Sequence, residues 1–226
     1  IYYSFELNVV LATKVIRADK DWSSVHAVPA TTAAKESIYG YFVLANDIDF
    51  GGATFNETCT LGSYWENGFG FRGTFDGRNH TISNVKVGQG GLFGFVGKGA
   101  VIKDVKFDKV DYIGAYRGSL LGTSVNGATL SNIDVKVSSY VNLDKDPPFN
   151  QGFLSSRWMS GCALTNVKID ASECDVYSVF GYTVNNNSCT GVEIKVKSYT
   201  IIGFVADGVS EADRVQKIDG VEIKVV

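Results

Sequence analysis

The chain contains few residues that would cross-link it or interrupt regular structure: three prolines, four cysteines and two histidines among 226 residues. No apolar run approaches the ~18 residues that a membrane-spanning helix requires, so we expect no membrane span. The cysteines form no CxxC pair, and the histidines are too few and too scattered for a zinc site. The sequence therefore predicts neither a transmembrane protein nor a zinc protein.

The cysteines also leave the redox compartment open. They are Cys59, Cys162, Cys174 and Cys189. They allow several disulfide pairings, but buried free thiols are the simpler alternative, which we favour. Cysteine usage therefore does not decide whether the protein is exported. Residues 1–22 lack the basic start and apolar block of a signal peptide, and no initiator methionine is present, so we expect this chain to be part of a longer one.

Charge of neither sign dominates, since 21 lysines and arginines face 24 acidic residues and the net charge is -3. Without a basic cluster, nucleic acid is not an expected partner. What the chain does contain is 25 glycines and 12% aromatic residues. This composition is typical of many short strands joined by tight turns, so we predict an all-β protein.

One short phrase recurs along the chain. Its copies are "TISNVKV" (81–87), "VIKDVKF" (101–107), "TLSNIDV" (129–135), "ALTNVKI" (163–169), "CTGVEIK" (189–195) and "IDGVEIK" (218–224). Aligning them places six apolar residues in one column: Val85, Val105, Ile133, Val167, Val192 and Val221. A second apolar phrase precedes most copies, so each repeat carries at least two strands. The unequal distances between copies indicate a fixed strand with loops of variable length.

These strands follow one another too closely for crossover helices. A parallel β-helix, a solenoid in which each repeat forms one coil and neighbouring coils pair at ~4.8 Å, buries their inward residues most simply. We predict about six to seven coils. The residue before each column position is Asn, Asp or Gly: Asn84, Asp104, Asn132, Asn166, Gly191 and Gly220. These types tolerate a left-handed backbone, so we interpret them as structural corner residues.

The outward residues of the repeat alternate in charge. One column runs Lys86, Lys106, Asp134, Lys168, Glu193, Glu222, and the next runs Gly88, Asp108, Lys136, Asp170, Lys195, Lys224. From the second copy to the fifth, stacking places opposite charges side by side, which predicts a salt-bridged wall. The pattern is broken at two places, where Lys86 lies beside Lys106 and where Glu193 lies beside Glu222. We expect Lys195 and Lys224 to offset the repulsion between the two glutamates.

Three phrases, "YFVLANDIDF" (41–50), "FRGTFDGRNHTISNV" (71–85) and "GGLFGFV" (90–96), resemble the GLUG-motif family of bacterial cell-surface proteins. The resemblance extends from about Ile38 to Val226. It implies a right-handed, single-stranded parallel β-helix that serves as an extracellular adhesive or spacer module. No catalytic residues accompany the motif.

The N-terminal segment is predicted to cover the first edge of the β-helix. We divide the chain into residues 1–37, a strand and a short helical cap, and residues 38–226, the β-helix. Asp19 or Asp21 is the expected N-cap of the first short helix, and Trp22 is expected to anchor it over the first coil.

Asp76, Arg78 and His80 gather three residue types that hydrolases use. Asp76 and Gly77, however, lie between two strand-like phrases, and Asp-Gly favours a turn. We therefore expect turn chemistry here, with His80 or Arg78 stacked on a neighbouring coil, because one histidine without a placed partner is not a general base.

Two loops carry candidate ligand-binding residues. Tyr64, Trp65 and Phe69 lie among glycines, as in platforms that stack on sugars, although loop aromatics also pack on a core. Asp144 and Asp146 lie beside two prolines and offer oxygen ligands to calcium, in a spacing that fits no EF-hand. No other cofactor is expected.

From these observations we predict a non-catalytic extracellular adhesive or spacer module of a bacterial surface protein. Its expected partners are polysaccharide or a host or cell-surface protein, and a monomer is expected. The alternative is a carbohydrate-active enzyme, a polysaccharide lyase or glycosidase on a β-helix scaffold. A lyase needs an acidic calcium site beside a basic residue, and a glycosidase needs two carboxylates ~5–10 Å apart; neither pattern is evident.

If the aromatic loop stacks on sugars, Trp65→Ala will abolish retention of polysaccharide by the immobilised protein and leave its unfolding midpoint unchanged. Affinity chromatography on labelled polysaccharides, with thermal unfolding as the control, measures both. Unchanged retention would remove this loop as a binding site.

Overall fold

The computed structural model describes residues 11–23, 39–55, 70–142, 150–203 and 217–226. These residues form fifteen β-strands and one short helix. In chain order they are β1 (Lys14–Ile16), α1 (Asp19–Ser23), β2 (Tyr41–Leu44), β3 (Ile48–Phe55), β4 (Thr74–Asp76), β5 (Thr81–Val87), β6 (Phe95–Val96), β7 (Val101–Ile113), β8 (Gly122–Asn126), β9 (Thr129–Val141), β10 (Ser155–Ser160), β11 (Ala163–Ser178), β12 (Thr183–Asn185), β13 (Ser188–Thr190), β14 (Val192–Ile201) and β15 (Val221–Val225).

The strands form two sheets, and neighbouring strands within both sheets run parallel. The larger sheet has the order β1-β2-β4-β7-β9-β11-β14-β15, with β3, β5 and β13 paired beside this path. The smaller sheet has the order β12-β10-β8-β6. From β6 to β13 the chain alternates between the two sheets, and β14 and β15 then stay in the larger one. The prediction of an all-β protein with parallel strands is confirmed. Among the residues described, no helix is long and apolar enough to cross a membrane.

The predicted apolar column is correct from the second repeat onward. Val105 lies opposite Ile133, which lies opposite Val167, and Val192 lies opposite Val221. All but the last of these side chains are buried. The alternation of the sequence thus places one face of each strand in a continuous core, as the period-2 geometry of a strand requires.

The alignment of the first repeat was wrong. Val85 lies opposite Val110 rather than Val105, and the first half of β7 pairs instead with β4, where Phe75 lies opposite Ile102. The reason is that β7 is 13 residues long and has an apolar alternation in both halves, so either half fits "TISNVKV" equally well. Lys86 consequently faces Asp111 across the sheet, which replaces the predicted like-charge contact with an opposite one.

The N-terminal segment packs on the aromatic end of the core. Trp22 is 1% exposed, and its ring makes edge contacts with several phenylalanines at centroid distances of 5.5–5.9 Å: Phe50, Phe55, Phe75 and Phe93. The edge of β2 is covered by β1, which pairs with it in parallel, rather than by α1. The remainder of the proposed cap, residues 1–10 and 24–37, lies outside the described residues.

The corner residues have left-handed backbones. Values of φ lie between 52° and 78° for Asn84, Asp104, Asn132, Asn166, Gly191 and Gly220. Asn84 belongs to a separate corner beside Lys109, whose φ is 54°, because the flanking pairs are Ser83 with Asp108 and Val85 with Val110. Each backbone therefore turns without leaving its strand pairing, at positions where Asn, Asp and Gly carry the smallest steric cost.

The corner amides are also joined to one another. The Asn132 amide donates to Asp104 at 2.7 Å and accepts from the Asn166 amide at 3.2 Å, while Asn84 donates to Asp49 at 2.8 Å. Asparagine thus meets two requirements at once: it adopts a positive φ, and its side-chain amide forms a hydrogen bond to the neighbouring strand of the preceding repeat.

Replacing Asn132 tests this double role. Asn132→Ala should lower the free energy of unfolding by about 1–3 kcal/mol, because it places a Cβ-bearing residue without a side-chain hydrogen bond in a left-handed backbone. Asn132→Gly should cost less, because glycine adopts the same φ without strain. Urea unfolding of both variants measures the difference. If the alanine variant were the more stable, as at an ordinary strand position, backbone strain would not govern this corner.

Candidate functional site

Asp76, for which the sequence predicted turn chemistry, is enclosed in a polar network rather than presented to a ligand. Its side chain is nearly buried, and it accepts hydrogen bonds from the Tyr41 hydroxyl and the Arg78 backbone amide at 2.9 Å. Lys103 Nζ lies 3.0 Å from the same carboxylate. The turn at Arg78 and Asn79 has φ values of 48° and 63°, which brings the amide onto Asp76.

His80, which the sequence predicted to stack on a neighbouring coil, faces a different carboxylate. Its Nδ1 lies 3.2 Å from Asp47, which also accepts the Thr81 backbone amide at 2.8 Å. Asp47 directly precedes β3, so the contact joins two neighbouring strands, as predicted for a stacked histidine. Within the described ranges, no hydrogen bond connects Asp76 with His80. The three residues therefore form two structural contacts and not one acid-base pair.

The Asp76 network continues into the corner amides. Lys103 Nζ also lies 3.2 Å from Asp104, and Asp104 accepts the Asn132 amide. A chain of polar contacts thus runs from Tyr41 on β2 through β4, β7 and β9 to Asn166 on β11. Tyr41 is 35 residues from Asp76, so no local pattern in the sequence indicates that the two meet.

A second arrangement, on the outer face of the larger sheet, is more accessible to a ligand. We use the name charge lattice for two columns of side chains on β7, β9, β11 and β14: Lys106, Asp134, Lys168 and Glu193 in the first, Asp108, Lys136, Asp170 and Lys195 in the second. The strand register places Lys106 beside Asp134, Asp134 beside Lys168 and Lys168 beside Glu193. It also places Lys136 beside Asp170 and Asp170 beside Lys195. The predicted alternation of charge is therefore present throughout the first column and from Lys136 to Lys195 in the second, whereas the register between β7 and β9 shifts after Phe107, next to Asp108.

The predicted salt-bridged wall, however, is not formed. In the part of the chain that the structure describes, no ion pair within 4.0 Å involves Lys106, Lys136 or Lys168, nor the carboxylates of Asp134 and Asp170. Holding two long exposed side chains in one geometry costs conformational entropy that a solvated Coulomb attraction barely offsets. The central charges are thus aligned across the sheet without ion pairs, and Asp170 accepts a hydrogen bond from the Ser172 backbone amide at 3.2 Å.

Ion pairs do occur at the far end of the lattice. Glu193 lies 3.2 Å from Lys224 and 3.9 Å from Lys195, and Lys224 also lies 3.3 Å from Glu222. The like-charged neighbours Glu193 and Glu222, which are opposite each other, therefore share one lysine. This is the compensation that the sequence pattern predicted.

A furrow of about 520 Å³ runs between the two columns. Its floor lies at Phe107, Val135 and Ile169, whose side chains point into the core and are at most 3% exposed. The floor is therefore backbone, and the walls are the charged side chains themselves. On the corner side, a depression of about 260 Å³ adjoins the furrow and is lined by Asn132 and Asn166 among others. The furrow is thus the outer surface of a sheet between two rows of side chains, rather than a deep cleft.

Tyr64, Trp65, Phe69, Asp144 and Asp146 lie outside the described residues. Among the residues that are described, no group of three or more His, Cys, Asp and Glu side chains is arranged to hold a metal ion. The glycan and calcium sites therefore stay predictions from the sequence.

The cysteines that the structure describes are free thiols. Cys162 and Cys174 are buried and Cys189 is half-buried. Burial raises the pKa of each of these thiols, which disfavours the reactive thiolate form. Cys59 lies outside the described residues. Of the cysteines described, none has the environment of a nucleophile.

Comparisons with known proteins add no further assignment. No protein-family model, no curated protein and no solved structure matches this chain. The resemblance to the GLUG-motif family stays a prediction that rests on the quoted motifs.

Acid titration tests the structural role of Asp76. Burial alone would raise the pKa of Asp76, but hydrogen bonds from Tyr41, Lys103 and the Arg78 amide outweigh it and hold the pKa below its ordinary value. Such a carboxylate stabilises the fold above its unfolded pKa of about 3.9, and this stability is lost as pH falls through the lower folded value. Asp76→Asn should therefore cost about 1–3 kcal/mol near neutral pH and progressively less in acid.

Urea unfolding near neutral pH and at about pH 2.5 provides the measurement. Asp134→Asn is the matched control, since Asp134 is exposed and its neutralisation should change stability by less than about 0.5 kcal/mol at either pH. A cost for Asp76→Asn that is equal at both pH values would contradict the proposed network.

Proposed function

We propose that the chain is a right-handed, single-stranded parallel β-helix of about six to seven coils with a short N-terminal cap. Three observations support this proposal. Neighbouring strands within both sheets are parallel, the chain alternates between the two sheets from β6 to β13, and β7, β9, β11 and β14 each pair with a strand that follows one repeat later. A solenoid satisfies all three, and right-handed crossovers are the rule for parallel strands.

We further propose that this β-helix is a non-catalytic adhesive module of an extracellular or bacterial cell-surface protein. The observation that carries the proposal is the charge lattice, whose central side chains are exposed, regularly spaced and, among the described residues, without an ion pair within 4.0 Å. Because exposed ion pairs contribute little to stability, the regular alternation of charge, and not the lack of pairing, is what supports a binding role over a spacer role. The strand register fixes the backbone positions of these charges, which presents them in a defined pattern to a charged partner.

The lattice suits contact with a surface better than catalysis in a cleft. The furrow is shallow and its carboxylates alternate with lysines along and across the strands, whereas glycosidases place two carboxylates on either side of a scissile bond. Asp76, the most buried carboxylate described, already accepts hydrogen bonds from three groups. A carbohydrate-active enzyme is the alternative that the following experiment distinguishes.

The experiment passes labelled neutral, acidic, basic and zwitterionic polysaccharides, with and without calcium, and the chain itself as a soluble protein ligand, over the immobilised chain. The length of every polysaccharide that emerges is measured. We expect at least one ligand to be retained intact, with retention that falls between about 0.05 M and about 0.5 M NaCl, because exposed charges are screened. The double variant Asp134→Lys/Asp170→Lys should lose this retention.

The matched control is Glu173→Lys/Asp219→Lys, which changes the net charge equally at exposed positions outside the furrow. It should retain ligand as the parent chain does. Shortened polysaccharide would identify an enzyme and overturn the proposal. Absence of retention for every ligand would leave the spacer function.

A further inference from the structure

The charge lattice carries equal numbers of positive and negative side chains, in a checkerboard. Each lysine has an acidic neighbour on an adjacent strand and another at the next outward position of its own strand. Each acid has lysine neighbours in the same way, except that the register shifts at Asp108. The four central residues, Asp134, Lys136, Lys168 and Asp170, are all exposed. Such a surface attracts neither a uniform polyanion nor a uniform polycation, because either would meet its own sign at half of the positions.

A checkerboard with an even number of rows and columns is complementary to itself. If a second copy faces the first across a two-fold axis parallel to the strands, between β9 and β11, then each Asp134 lies opposite Lys168 of the other copy and each Lys136 lies opposite Asp170. An axis along the stack of strands exchanges the two columns instead, so that Asp134 meets Lys136 and Lys168 meets Asp170. Opposite charges therefore meet in both arrangements, as an isologous interface requires.

We propose that the charge lattice is a homophilic contact surface, whose partner is a second copy of this chain. The inference rests on the proposed adhesive function and names its partner. The shallow shape of the furrow supports the proposal of a homophilic contact. Since the floor is backbone and the walls are long side chains, lysine and acidic side chains of the facing copy enter the furrow and meet charged groups that make no ion pair within their own chain.

The size of the lattice sets the strength of this contact. Three strand spacings of ~4.8 Å span roughly 14 Å, and two positions along a strand span roughly 7 Å. A rectangle with these sides covers far less area than the ~800 Å² that each partner contributes to a standard stable interface. A single pair of copies should thus associate weakly, and many copies held on facing surfaces would associate firmly through multivalency. In dilute solution, where single pairs dissociate, the chain should be the monomer that the sequence predicted.

Two oppositely charged variants test the proposal whichever of the two axes relates the copies. Asp134→Lys/Asp170→Lys makes the central four residues all basic, and Lys136→Glu/Lys168→Glu makes them all acidic. Each variant alone should fail to self-associate, because like charges meet in both arrangements. An equimolar mixture should form a heterodimer at least as tight as the parent homodimer.

Sedimentation equilibrium at about 0.05 M NaCl provides the measurement, repeated at about 0.5 M NaCl, where the apparent dissociation constant of the parent chain should rise at least about tenfold. The control mixture combines Lys136→Glu/Lys168→Glu with Glu173→Lys/Asp219→Lys, which carries the same net charge as the basic variant, and should not form the heterodimer. Circular dichroism confirms that each variant is folded. Asp134→Asn/Asp170→Asn, which avoids four adjacent lysines, should weaken self-association as well.

Three results would overturn the inference: a parent chain that stays monomeric at every concentration, variants that self-associate as the parent does, or a control mixture that associates as well as the complementary one. The outcome is separable from that of the adhesive function. Retention of a zwitterionic polysaccharide by a strictly monomeric chain would leave the adhesive function in place and remove the second copy as its partner.

Discussion

Parallel pairing in register between strands one repeat apart is the constraint on which the rest of the structure depends. Once Val105, Ile133 and Val167 lie opposite one another, the residue on either side of each is fixed on the outer face. Core, corner and surface therefore arise from one periodicity, and a single residue's slip would exchange core and surface along an entire strand. The corner asparagines secure this register, because their amides reach only the neighbouring strand.

How far the sequence predicts this fold depends on which interactions are local. The alternation of apolar residues and the Asn, Asp and Gly corners are local signals, and they predicted the strand column from Val105 to Val221. The first repeat was aligned with the wrong half of β7, because the same alternation recurs in both halves and only the turn at Arg78 and Asn79 distinguishes them. Pattern alone does not decide between two registers that bury equally well.

The candidate site likewise combines features that the local sequence predicts with features that depend on the three-dimensional structure. The alternating charges of the lattice were evident from the repeat, because stacked strands bring equivalent positions together. That Asp134 and Lys168 stay unpaired was not predicted, since this depends on side-chain entropy and solvation rather than on sequence spacing. The contact between Tyr41 and Asp76 was equally hidden, because it depends on which distant strand lies beside β4. Sequence thus locates the charged surface, and only the three-dimensional structure shows that Asp134 and Lys168 make no ion pair within 4.0 Å among the described residues.

The length of β7 affects how the protein unfolds. Repeat proteins can open piece by piece when each unit contacts only its neighbours. Here β7 is hydrogen-bonded to β4 through its first half, to β5 through its second half and to β9 along its length. Two N-terminal strands that are separated by a turn thus share one partner, so the loss of β7 would remove a pairing from both. This shared partner favours cooperative opening of β4, β5 and β7 as one unit.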